Sequence, residues 1–434
     1  MNEIIIGIVG LFVLLLVFST GIEIASGMMI VGFIGFGLVR SFGSAFDLLS
    51  TDLFETLSSY GLTVLPLFVL MGQVAFSAGI AKRLYDAAYK FIGRVPGCLA
   101  ISTILGATLF KAICGSSPAT TATFSAVAIP EMDRYGYSRK LSTGTVATSG
   151  TLGVLVPPNI TLIIYGFITN QSIGKLFLAA LFPGLLIALL YSTIILCWCK
   201  INPSIAGRKG EKFPLKEKLK SLTDVFWPAV IFIVTIGGLM KGFFTPTEAG
   251  SVGAFAVILL TFFKRDLNFK GYINALGQAL KIACMFLLIV AGSAMVGHFL
   301  AVTKIPLYAA DWMGNLNINK YIIIAFILFL YNVGGSFVDD FAFMILVTPI
   351  LFPAILKLGF DPLWFGIIVC IAVMIGGIIP PVAMNVFIVK KFTKASLGEI
   401  YSGTYPFLAG LIALTILLCI FPQIVLFLPN LLMP

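Results

Sequence analysis

Four short segments bring together residue types that suit the binding of a small cation or a small anion. The first is Gly115-Ser116-Ser117-Pro118-Ala119-Thr120-Thr121, which interrupts an apolar run. Such a turn exposes backbone carbonyls and hydroxyls, which are hard oxygen ligands for a small cation. The N-terminus of the helical arm that follows favours an anion. The second is Thr151-Leu152-Gly153-Val154-Leu155-Val156-Pro157-Pro158-Asn159, and the third is Ile375-Gly376-Gly377-Ile378-Ile379-Pro380-Pro381 with Asn385 just beyond it. Adjacent prolines remove backbone donors and clash with the preceding turn. A helix is therefore expected to stop and restart at each place, leaving carbonyls free at membrane depth. The fourth is Gly334-Gly335-Ser336-Phe337-Val338-Asp339-Asp340, where two adjacent carboxylates sit in an apolar run. Carboxylates there are costly and mark a functional site. Neighbours on a helix point about 100° apart, so Asp339 is placed near a cation and Asp340 is read as a cap or as the partner of another helix.

Other chemistries are poorly supported. The seven cysteines, Cys114, Cys197, Cys199, Cys284 and Cys370 among them, sit mostly in apolar runs without metal-ligand spacing. His298 is the single histidine; it lies in an apolar span with no second histidine and no acid near it in sequence. No transition-metal site is expected. An intramembrane hydrolase using Ser116 or Ser117 as nucleophile would need a base that the sequence does not offer. Thr245-Pro246-Thr247-Glu248-Ala249-Gly250 is accounted for as a capping box with proline at the first helical position, and Ser138 and Asp361 as helix N-caps.

The elements that must position these segments are membrane helices. Of 434 residues, 59% are hydrophobic and 11% are charged, a composition that cannot cover a soluble surface. At roughly 20 apolar residues per crossing, the chain reads as about ten full spans. The stretch from Ile4 to Phe18 has no preceding basic residue and no clear cleavage site, so it is expected to be a retained helix. The net charge of +10 is dispersed through short loops, which fits membrane topology rather than a nucleic-acid partner.

A shift of 223 residues lays one half of the chain on the other. Pro130 falls on Pro353, Gly136 on Gly359, Gly153 on Gly376, Pro157 on Pro380 and Pro158 on Pro381. Residues 1–199 and 223–434 are read as two repeats joined by a basic linker, 200–222. Each half is expected to hold two spans, an amphipathic segment, a third span, a surface helix, a hairpin, a broken span and a last span. The hairpins are placed at about 97–131 and 320–356, and the broken helices at about 138–168 and 361–392. The arms Leu99–Ile113 and Thr120–Ile129 are too short to cross, so the hairpins are read as re-entrant. With about five crossings per half, the second half is inverted. Lys82, Arg83, Lys90, Arg94, Arg134, Arg139 and Lys140, the linker, Lys264, Arg265, Lys390, Lys391 and Lys394 all fall inside when both termini are outside.

At these residues the sequence resembles the large membrane subunit of tripartite ATP-independent periplasmic (TRAP) transporters. The resemblance rests on Leu65-Pro66-Leu67-Phe68-Val69-Leu70-Met71-Gly72, Gly79-Ile80-Ala81-Lys82-Arg83-Leu84, Gly115-Ser116-Ser117, Phe244-Thr245-Pro246-Thr247-Glu248-Ala249 and Thr348-Pro349-Ile350-Leu351-Phe352-Pro353. One departure is Gly21-Ile22-Glu23-Ile24-Ala25, where the family usually has a proline before the Ile-Ala step. The resemblance implies an all-α elevator transporter of the bacterial inner membrane, with a scaffold and a transport domain of two hairpins and two broken helices. It implies no cofactor, Na⁺ as coupling ion, and import of a small organic anion, a carboxylate or a sulfonate. The implied partners are a small four-helix membrane subunit and a soluble periplasmic binding protein. By position, one Na⁺ site falls on Ser116, Ser117, Gly153 and Pro157, and a second on Gly335, Asp339, Gly376 and Pro380. The substrate lies between the tips, against Ser116, Ser117, Thr120, Asn159, Ser336 and Asn385. The rival reading is a stand-alone Na⁺- or H⁺-coupled carboxylate carrier of the same superfamily.

Overall fold

The computed structural model describes residues 3–208, 210–337 and 340–433. Asp339 lies outside the described residues, as does the side chain of Asp340. All regular structure among the described residues is helical. The first half contains α1 Glu3–Ser19, α2 Ile24–Val39, α3 Phe42–Ser58, α4 Val64–Ser77, α5 Ile80–Ile92, α6 Cys98–Cys114, α7 Ser117–Arg134, α8 Arg139–Thr151, α9 Ile160–Thr169 and α10 Ile173–Ile201. The second contains α11 Leu215–Met240, α12 Pro246–Phe263, α13 Phe269–Thr303, α14 Ile305–Gly314, α15 Lys320–Phe337, α16 Asp340–Lys357, α17 Pro362–Gly376, α18 Met384–Phe392, α19 Leu397–Ile420 and α20 Gln423–Leu432. Many second-half helices begin and end close to where the 223-residue shift carries first-half helices. The shift takes the bounds of α7 onto those of α16, and α6 onto α15 to within one residue.

Among the described residues, six helical stretches are long and apolar enough to cross a membrane: Tyr60–Ser77, α10, α11, α12, α13 and α19. The remaining crossings expected from sequence fall on α1 and α2, of 17 and 16 residues, and on the two interrupted helices. Large apolar side chains point outward on the peripheral helices, with Phe12 of α1, Ile233 of α11 and Phe255 of α12 each about two-thirds exposed. Lipid is the solvent that such a surface requires.

The breaks and starts follow local chemistry. Ser138 accepts from Leu141 N at 3.3 Å, and Asp361 from Leu363 N and Trp364 N at 2.8 and 3.0 Å, so both cap their helices. Thr245 and Glu248 close a capping box, with Pro246 at the first position of α12. α2 starts at Ile24 even though Glu23 makes no side-chain cap.

Three expectations need correction. The amphipathic segment and third span of the second half are not separate elements, because α13 runs unbroken for 35 residues. Its first-half counterpart is divided by a 3-10 turn at Tyr60–Thr63. The shift puts Ile282, Cys284 and Ile289 where the first half has Ser59, Gly61 and Pro66, which removes the breakers. The second arm of the first hairpin is also longer than Thr120–Ile129. Pro130 stays inside α7, and the polar turn Glu131–Arg134 extends the helix to 18 residues. Finally, part of the segment read as linker is helical, since Pro214 sets φ at −65° just ahead of Leu215, the first residue of α11.

The core lies at the two interrupted helices. Every residue from Leu141 to Thr151 of α8 is buried, as is every residue from Trp364 to Gly376 of α17. α8 is rich in Ser and Thr, and it tolerates burial because its hydroxyls, that of Thr145 excepted, bond back to its own carbonyls. Thr143 donates to Arg139 O at 2.6 Å, Ser149 to Val146 O at 2.8 Å and Thr151 to Thr148 O at 2.7 Å.

On the face holding the basic loops, Arg83 of α5 grips Asp266 through two bonds of 2.7 Å, tying a first-half helix to the α12–α13 turn. The pair is largely shielded, at 27% and 13% side-chain exposure. Arg83→Ala is expected to cost about 1–2 kcal/mol, between the values for exposed and buried pairs, and Arg83→Lys roughly half as much. Melting curves in detergent would measure this, and an unchanged Arg83→Ala midpoint would count against it.

Candidate functional site

A cavity of about 230 Å³ opens between the α6–α7 turn, the α8–α9 break, the α17–α18 break and the middle of α13. Gly115, at φ +64°, turns the chain between α6 and α7. Ser116 then caps α7 by accepting from Ala119 N at 3.4 Å, which leaves Ser116, Ser117 and Pro118 on the cavity wall. Asn159 caps α9 by accepting from Thr161 N at 2.9 Å. Its amide donates back to the Val154 carbonyl, closing the break on itself. Asn385, in the first turn of α18, accepts from the Thr121 hydroxyl at 3.0 Å and joins the two halves.

Three helix N-termini thus meet at one space: those of α7, α9 and α18. No lining residue is charged among the described residues. The three N-termini favour an anion, while the C-terminal ends of α6, α8 and α17, which reach the same lining at Gly115, Thr151 and Gly377, present the opposite field and favour a cation. The opposite wall is apolar, formed by Ile24 at the start of α2 and by Met285, Phe286 and Ile289 of α13.

Of the residues assigned to substrate from sequence, Ser116, Ser117, Asn159 and Asn385 line this cavity. Thr120 lies behind it, fully buried, with its hydroxyl bonded to Ser116 O at 2.9 Å. Ser336 also lies outside the lining; its hydroxyl bonds to Val333 O, and its carbonyl accepts from Val382 N at 3.0 Å. That second bond fastens the end of α15 to the second break, near Gly335, Gly376 and Pro380. The two breaks differ in exposure. Leu152 through Asn159, Gly153 and Pro157 included, are all buried, whereas Pro380, Pro381 and Val382 are exposed.

Two features were missed in the sequence. Lys111, near the end of α6, is fully buried and donates to Ser117 Oγ at 3.2 Å. A single lysine in an apolar hairpin arm was a signal in plain view. His298, which has no acid near it in sequence, has one in space, since its Nε2 lies 3.2 Å from Asp52 Oδ1. Asp52 is on α3, which packs against α13 only in the tertiary structure. Among the described residues no cluster of metal-ligating side chains forms.

The profile of the family described as "Tripartite ATP-independent periplasmic transporter, DctM component" matches residues 7–424. The chain belongs to this family. It is a TRAP large permease subunit, a transport protein and not an enzyme. It is 34% identical over 383 residues to the C4-dicarboxylate TRAP transporter large permease protein of Pseudomonas aeruginosa, covering 88% of this chain and 89% of that one. It is 30% identical to the isethionate TRAP transporter permease protein of Oleidesulfovibrio alaskensis, covering 96% of this chain and 65% of that one. In fold it is similar to the YdaH transporter of Alcanivorax borkumensis, at a TM-score of 0.64 and 13% identity over 98% of both chains.

Proposed function

We propose that this TRAP large permease imports a small organic anion, a carboxylate or a sulfonate, across the bacterial inner membrane and uses Na⁺ as the coupling ion. The observation that carries the substrate class is the meeting of the α7, α9 and α18 N-termini, with Ser116, Ser117, Asn159 and Asn385, at one cavity that no carboxylate lines among the described residues. Its volume of about 230 Å³ is below the usual range for drug-sized ligands and suits a small solute. The names of the two relatives, one a C4-dicarboxylate and the other an isethionate transporter, fall in the same chemical class. Na⁺ coupling is supported by the carbonyl-rich breaks and by the two aspartates at positions 339 and 340.

The transport cycle is an elevator. Two inverted repeats each supply a re-entrant hairpin and a broken helix, namely α6 to α9 and α15 to α18, and these move together against a scaffold of the other spans. The apolar wall of α2 and α13 supports this reading, because a surface without hydrogen bonds to the substrate can slide past it. The partners are a small four-helix membrane subunit and a soluble periplasmic protein that delivers the anion. Both termini face the periplasm and the linker faces the cytoplasm, as the basic loops require.

Uptake into vesicles holding the two membrane subunits would test this, under an inward Na⁺ gradient and with the binding protein present or absent. Uptake of a C4-dicarboxylate or a sulfonate is expected only with both Na⁺ and the binding protein. Uptake unaffected by replacing Na⁺ with K⁺ would remove the coupling, and equal rates without the binding protein would favour the stand-alone carrier.

A further inference from the structure

Lys111 has no part in the cavity lining, yet it sits where the first cation position is expected. Its ammonium touches two of the four residues assigned there. It donates to Ser117 Oγ at 3.2 Å, and it packs so closely on Gly153 that a Cβ at that glycine would coincide with Lys111 Cδ, Cε and Nζ. The side chain is fully buried, and no carboxylate pairs with it among the described residues. Burial of an ammonium is costly, and the helix end beside it offsets part of that cost. Lys111 is in the last turn of α6, at the negative end of the helix, and it faces the interrupted backbone at Leu152–Val154.

The two halves differ here in a patterned way. The 223-residue shift carries Lys111 onto Gly334, and Ser116 and Ser117 onto Asp339 and Asp340. One tip therefore has hydroxyls beside a built-in cation. The other has carboxylates and a glycine. A Na⁺ ion about 4 Å from a fixed ammonium would be bound roughly a thousandfold more weakly, at the effective dielectric of about 20 that fits protein sites.

We propose that the Lys111 ammonium is a tethered cation that replaces one coupling Na⁺ at the turn between α6 and α7. A cation fixed to the chain returns with it and draws nothing from the ion gradient. The transporter then couples one Na⁺ fewer per substrate than a chain in which that position is open. The inference rests on the Na⁺-coupled reading above.

The test uses the full transporter in vesicles, with radioactive Na⁺ and substrate counted together, for the wild type, Lys111→Ala and Lys111→Met. Alanine removes the charge and opens the space beside Gly153; methionine removes the charge and keeps the space filled. The Na⁺-to-substrate ratio is expected to rise by about one in Lys111→Ala. An unchanged ratio in an active Lys111→Ala transporter overturns the proposal. Should that variant transport too slowly to count, melting of the purified transporter against Na⁺ concentration decides, with K⁺ holding the ionic strength constant. Lys111→Ala must then gain more stabilisation from Na⁺ than either the wild type or Lys111→Met, because binding to the folded state raises its stability. Equal gains overturn the tethered cation. Absence of any Na⁺ effect in the wild type, in uptake and in melting alike, is a separate result that removes Na⁺ coupling itself.

Discussion

Gly144→Leu is expected to leave almost no folded transporter. α8 and α19 pack backbone to backbone at this point. A Cβ on Gly144 would overlap the Cα, carbonyl carbon and oxygen of Gly403, and a Cβ on Gly403 would overlap the Lys140 carbonyl. Backbone cannot rotate aside as a side chain does. The helices would have to separate, opening gaps along a face where α8 is buried from Leu141 to Thr151. Overpacking alone costs about 1–3 kcal/mol. With the lost contacts added, Gly144→Ala should cost about 3 kcal/mol, and Gly144→Leu more than about 5 kcal/mol. Gly277→Ala is the control, since that glycine of α13 has open space around it and alanine is the better helix former by up to about 1 kcal/mol. Yield of monodisperse protein and melting temperature would show the difference. A Gly144→Leu protein as stable as the control would refute the close approach.

Asn159→Ala is expected to reduce uptake at least tenfold while leaving the protein membrane-inserted. The residue is 2% exposed and performs two tasks with one side chain. Its oxygen caps α9 at Thr161 N, and its amide satisfies the Val154 carbonyl inside the break. Loss of a cap costs about 1 kcal/mol. A buried carbonyl left without a donor costs about 1–3 kcal/mol more. The combined cost of about 2–4 kcal/mol falls on the loop that forms the cavity wall, so the open break should lose its shape before the whole protein unfolds. Asn159→Ser restores an acceptor for the cap but not the donor to Val154, and its uptake should lie between those of wild type and alanine. Initial rates at saturating binding protein, read beside melting curves, would separate local from global damage. Wild-type rates in Asn159→Ala would show that the break does not depend on this side chain.

Much of the helix order was legible in the sequence because its signals are local. Proline pairs stop helices whatever surrounds them, so Pro157-Pro158 and Pro380-Pro381 placed the two interruptions directly. Ser138, Asp361 and the Thr245–Glu248 box announced their own helix starts for the same reason. The family could also be read from segments such as Gly115-Ser116-Ser117 and Thr348-Pro349, and the DctM profile bears it out.

What the sequence could not supply depends on contacts between residues far apart in the chain. The 223-residue shift suggests two self-contained halves, but α8 packs on α19 and α17 on α10, so each interrupted helix leans on the last span of the other half. Thr121 with Asn385, and Tyr165 with Pro362 O at 2.8 Å, fasten the same crossing. Asp52 reaches His298 only because α3 lies against α13. The position of Lys111 was likewise decided in three dimensions. Sequence shows a lysine in an apolar arm, but its destination beside Gly153 depends on how α6 packs against the break between α8 and α9. Local backbone chemistry sets where helices start and stop; which faces meet is settled by burial and close packing across the whole chain.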